Sequence, residues 1–148
     1  MAMRKLNFQK DEAGQALVEL GLVFMVLVMI MAGALELSRA FYADYEVNSA
    51  ARAGLQWAAV NDSPGQTSSI QTAATNDAPD LIGMTATATE VCQCDDGSTV
   101  TCGSGTCVSG SVRDYVKVVT SFPYKTLGTY PYIPRPMTLT GVAYMRIQ

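Results

Sequence analysis

Between Ala16 and Leu35 the chain runs for twenty residues with a single charge, Glu19. A helix of that length rises about 1.5 Å per residue and reaches roughly 30 Å, the thickness of a bilayer's hydrocarbon core. The run predicts a membrane helix, and the rest of the chain is placed to one side of it or the other. The first ten residues hold Arg4, Lys5 and Lys10 and no acid, so the positive-inside rule keeps the N-terminus cytoplasmic and exports everything after Leu35.

Helical patterning continues past the apolar run. From Glu36 to Ala59 there is no proline and many alanines, and Leu37, Phe41, Tyr45, Asn48, Ala51, Leu55 and Ala58 recur at steps of three or four. That spacing predicts an amphipathic continuation. Phe41, Tyr42 and Tyr45 fall where aromatic rings suit the headgroup region, and Glu36 is spaced to pair with Arg39. Asn61-Asp62-Ser63-Pro64-Gly65 is a strong stop, which ends the long helix near Val60. A short second helix is expected from about Gln66 to Asn76, with Ile70, Ala73 and Ala74 on its inner side.

Beyond Gly83 the period changes to two. Met84 to Val91 alternates small or apolar residues with threonine, Val112 to Phe122 is rich in valine and aromatics, and Met137, Leu139, Gly141, Ala143, Met145 and Ile147 share one face. Three main strands are expected, with short ones flanking the cysteines. Pro123, Pro131, Pro134 and Pro136 alternate with Tyr124, Tyr130, Tyr132 and Ile133, which predicts an irregular crossover between the last two strands. The fold class is therefore α+β: a long N-terminal helix whose amphipathic half packs on the apolar face of a small antiparallel sheet.

Cys92, Cys94, Cys102 and Cys107 lie in a short stretch rich in Gly, Ser, Thr and Asp. An even count in an exported segment points to two disulfides, and the spacings differ from the paired Cys-x2-Cys of a zinc site. Cys92 and Cys94, two apart on a strand, share a face. Of the three connectivities, a nested one is expected: Cys92 with Cys107 and Cys94 with Cys102, across a turn at Asp95-Asp96-Gly97.

Several function classes drop out. With no histidine in the chain, imidazole catalysis and histidine metal ligation are excluded. The net charge is −3 and no basic run is present, so the electrostatic footprint of a nucleic-acid binder is missing. Asp95-Asp96 reads as a turn rather than an acid–base pair, and the 12-residue calcium-loop spacing is absent. No enzyme activity, small-molecule substrate, metal or cofactor is expected.

The feature that carries function is Glu19. A carboxylate inside an apolar membrane helix costs about 2.5–3.5 kcal/mol at mid-bilayer and needs a partner. Cleavage between Gly14 and Gln15 would free an α-amine one helical turn from Glu19. In a stack of helices the amine of one subunit could equally meet the carboxylate of its neighbour, neutralising both charges and setting the axial register.

The run Gly14-Gln-Ala-Leu-Val-Glu19-Leu20 is similar to the prepilin peptidase site of type IV pilins and pseudopilins. Together with Glu36-Leu-Ser-Arg39-Ala-Phe-Tyr42 and Ala50-Ala-Arg52-Ala-Gly54 it resembles the TadE-like minor pseudopilins of tight-adherence (Flp, type IVb) pilus systems. Tyr115-Val-Lys-Val-Val, Met137-Thr-Leu-Thr and Tyr144-Met-Arg146 resemble that family's closing strands. The sequence departs from the pattern at Leu20, where Flp substrates commonly carry an aromatic, and in lacking a proline near Met25.

The resemblance implies a structural subunit with a cytoplasmic leader (1–14), a long helix (15–60) spanning the inner membrane at 16–35, and a periplasmic or extracellular head (61–148) with a disulfide-bonded segment (92–107). It implies processing by a prepilin peptidase, contact with membrane lipid and with other pilins or pseudopilins, and a part in initiating or capping a pilus for cell adhesion. Two other readings compete. Ala32-Gly33-Ala34 could end an ordinary signal peptide, leaving a secreted disulfide-stabilised binding domain, or the helix could be an uncut anchor for one. Within the pilin class the alternative is a minor pseudopilin of a type II secretion system.

Overall fold

The computed structural model describes residues 12–129 and 134–147. The basic residues Arg4, Lys5 and Lys10, and Tyr130, Pro131, Tyr132 and Ile133 of the expected crossover, lie outside the described residues. The elements in order are α1 (Glu12–Val60), α2 (Thr67–Asp77), β1 (Thr85–Cys94), β2 (Thr99–Val100), β3 (Val112–Tyr124) and β4 (Met137–Arg146). The chain divides into two compact units, Met1–Ser38 and Arg39–Gln148, and α1 contributes to both.

In the first unit α1 presents its apolar side chains outward. Leu17, Leu22, Phe24, Met29 and Ile30 are each more than half exposed, an arrangement that water does not favour and hydrocarbon does. This segment is long and apolar enough to cross a membrane.

The second unit is built on a four-stranded antiparallel sheet of order β2-β1-β3-β4. One face carries Ala88, Cys92 and Cys94 from β1, Val116, Val118 and Thr120 from β3, and Gly141 from β4, all buried. The α1 residues buried in this unit are Ala43, Val47, Ala50, Ala51, Gly54, Leu55 and Ala58. This corrects the first half of the expected stripe, since Leu37, Phe41 and Tyr45 are 57%, 66% and 73% exposed.

The reason is the closeness of the approach. A Cβ built at Gly141 would lie 2.6 Å from the backbone oxygen of Val47 and 2.7 Å from Thr120 Oγ1, and the buried Thr120 hydroxyl donates to that same oxygen at 2.7 Å. A helix backbone in contact with a sheet leaves room for alanine and valine and none for aromatic rings. The two core clusters, around Ala51–Leu55–Ile70–Val116 and around Ala43–Val47–Leu81–Tyr124, follow from this stripe.

Helix α2 turns Ile70 and Ala74 inward, both fully buried, with Ala73 only half-buried. It lies against Gly54 of α1, where an added Cβ would be 3.2 Å from Ala74 Cβ and from the Ile70 carbonyl oxygen. Ser49 Oγ donates to Asp77 Oδ2 at 3.0 Å, tying the end of α2 back to α1.

Strand β3 runs two residues further than expected, through Pro123 to Tyr124. Ile147 N donates to Asp114 O at 2.8 Å, so even-numbered residues of β3 exchange hydrogen bonds with β4 and odd-numbered ones face β1. Strand β1 begins at Thr85, opposite Ser121. The nitrogen of Pro123 thus faces a place where no β1 residue needs a donor, and proline is tolerated there.

The disulfides are Cys92–Cys102 and Cys94–Cys107, crossed rather than nested. The expected turn does form: Gly97 has φ +85° and its N–H donates to Cys94 O at 2.9 Å. The register after the turn decides the pairing. Val100 of β2 lies opposite Cys92 and Thr99 opposite Gln93, so the returning chain carries Cys102 past Cys92 and away from Cys94. The chain then reverses at Gly103, φ +76°, with Gly105 N bonded to Thr101 O, and brings Cys107 back to Cys94.

Candidate processing and assembly site

Gly14, Gln15 and Glu19 all lie on the exposed N-terminal part of α1. The helical pitch sets Gln15 and Glu19, four apart, one above the other, and Gln15 Nε2 donates to Glu19 Oε1 at 3.3 Å. The two residues expected to cooperate are together. A Cβ added at Gly14 would meet nothing within 4 Å. The Gly14–Gln15 peptide sits in the first turn of α1.

Glu19 is surrounded by exposed Leu17, Val18, Leu20, Leu22 and Val23. Among the described residues the Gln15 amide is its one hydrogen-bond donor. A neutral amide leaves the charge in place, so the site as folded is incomplete in an apolar medium and has capacity for a cation.

The four cysteines, brought together in crossed pairs, form a second cluster. The carboxylate of Glu90 and the sulfurs of Cys92 and Cys102 lie within 4.8 Å of one another. The two sulfurs are bonded to each other, so this group offers no thiolate.

The acids of the turn work locally. Asp95 accepts from Ser111 N at 3.1 Å and pairs with Arg113 Nε at 2.6 Å; the Ser111 amide first and the guanidinium second hold its carboxyl below the usual range. Asp96 accepts from the hydroxyl and amide of Ser98 at 2.6 and 2.9 Å and is lowered by them in that order. These contacts fasten the loop beside the disulfides.

Sequence reasoning passed over Thr120 as a contact to the helix. A lone hydroxyl on the inward face of a valine-rich strand was its available signal, and Gly141 on the facing strand was the complement.

Between Ala16 and Leu35 α1 carries one charge, Glu19, and is apolar enough to cross a membrane, and the second unit is an α+β head fastened by two disulfides. Residues 14–56 match the family model described as TadE-like protein. The match spans Gly14, Gln15, Glu19, the Glu36–Tyr42 segment and Ala50–Gly54, bearing out over that stretch the resemblance read from the sequence. No curated protein and no solved structure matches the chain.

Proposed function

We propose that this chain is a structural, non-catalytic minor pseudopilin of a Tad pilus, cut after Gly14 by a prepilin peptidase and taking part in the initiation or capping of the filament. In this reading the helix stands in the inner membrane with its N-terminus cytoplasmic and its head outside. The observation that carries it is the isolated Glu19 carboxylate on an exposed apolar helix, one turn from Gln15. Freeing the Gln15 amine supplies the missing cation, either within the subunit or across to a neighbouring helix, and discharges the cost of burying the carboxylate. A head following the helix is bulky for a densely packed major subunit and suits a tip or initiation complex.

The test is the N-terminus of protein recovered from its native membrane, with and without the prepilin peptidase, by intact mass and terminal sequencing. A peptidase-dependent terminus at Gln15 is expected. A terminus at Leu35 would make the product a secreted domain, and a retained Met1 would make it a plain anchor; either result sinks the reading. Glu19→Gln should leave processing intact and abolish or sharply reduce piliation.

A further inference from the structure

Strand β4 forms one edge of the sheet, and among the described residues no strand pairs with its outer side. Its odd-numbered residues exchange hydrogen bonds with β3, as the Ile147–Asp114 bond shows, so the N–H and C=O groups of Thr138, Thr140, Val142 and Tyr144 point to the open edge. Edges are ordinarily blunted by charges, prolines or bulges. From Met137 to Met145 this edge has no charge and no proline, and its register with β3 is unbroken. Among the described residues it is an unprotected template for a further strand.

A cleft of about 350 Å³ runs beside it, lined by Val142, Ala143, Tyr144 and Met145 of β4 and by Arg52, Leu55 and Gln56 of α1. A strand added to β4 would lay its inward side chains over this α1 surface. Leu55 there favours an apolar residue. Arg52 is exposed and makes no ion pair or hydrogen bond among the described residues, so it favours a carboxylate. A second copy's β4 cannot supply one, because Met137–Arg146 contains no Asp or Glu. Of the other long strands, β3 carries Asp114 but is paired on both sides, and β1 carries Glu90, whose carboxylate lies within 4.8 Å of the Cys92 and Cys102 sulfurs.

We propose that the free edge of β4 and the adjoining cleft bind an extended segment of a different protein, which adds a strand to the sheet and places an acidic side chain on Arg52. The inference stands on the edge and the cleft and does not depend on the pilus reading.

The test uses the full chain in lipid nanodiscs and a fluorescent, capped nine-residue peptide alternating threonine with valine, one central valine replaced by glutamate. Saturable binding is expected. Val142→Pro removes an N–H aimed at the edge while sparing the β3 ladder, and should weaken binding about tenfold or more. The same peptide N-methylated on the amides of one edge should not bind the unaltered protein, which answers the question even where Val142→Pro impairs folding. Arg52→Glu should weaken the glutamate peptide and strengthen one carrying lysine in its place. Absence of saturable binding, equal binding of the N-methylated peptide, or indifference to Arg52→Glu overturns the proposal. So does a protein dimer that Val142→Pro dissolves, since the occupant would then be a second copy.

Discussion

Gly141 and Thr120 hold the sheet against the helix through one atom, the backbone oxygen of Val47. Replacing Gly141 by valine forces side-chain carbons into the space occupied by that oxygen and by the Thr120 hydroxyl, so backbone has to move. A loss of about 1–3 kcal/mol is expected, as for other overpacked cores, and Thr120→Val should cost about 1 kcal/mol through the lost buried hydrogen bond. Urea denaturation of the full chain in detergent, followed by the fluorescence of the single tryptophan, Trp57, measures both. At Asp95 the argument is one of pH. Its carboxyl is lowered in the folded head by the Ser111 amide and then by Arg113, so the stabilisation is present above the unfolded value of about 3.9 and is lost as pH falls through the folded value. The contribution is small, because the group is solvent-exposed and screened. Asp95→Asn should flatten the denaturation midpoint between about pH 5 and pH 2 relative to the unaltered protein.

At the scale of elements, α1 meets the sheet through small residues, with its aromatic rings turned away. Ala50→Leu should therefore destabilise the head by about 1–3 kcal/mol, while Phe41→Ala, at a 66% exposed position, should leave the same denaturation midpoint unchanged within error. Equal effects would contradict the observed stripe. The elements themselves were legible in the chain: the Asn61–Gly65 stop, the change of period after Gly83 and the alternation in Met137–Ile147 place α1, β1, β3 and β4 within a few residues. What periodicity could not choose was the helix face. Leu37-Phe41-Tyr45 and Ala43-Val47-Ala50 both recur at helical spacing, and apolar size favoured the first. The depth of contact that selects the second is set by Gly141 and Thr120, on strands far along the chain. Pro123 was misplaced for a related reason, since its tolerance depends on where β1 begins.

For the molecule as a whole, the candidate site was readable because it is local: Gly14, Gln15 and Glu19 lie within one and a half turns of a single helix. The cysteine connectivity was not, because it follows from the β1–β2 register and from the reversal at Gly103, which residue spacing alone leaves open. Reducing the two bridges should lower the head's stability by about 2–5 kcal/mol for a domain of this size and open residues 95–111 to protease while β3 and β4 stay protected longer. Full resistance after reduction, with free thiols confirmed by alkylation and mass, would show that the bridges are dispensable for holding this loop. The crossed arrangement also bears on mechanics. Tension applied along the chain passes from β1 through the Cys94–Cys107 bridge toward β3, so the intervening loop is a slack bypass that carries no load. A head pulled by its ends would lengthen less than its residue count allows.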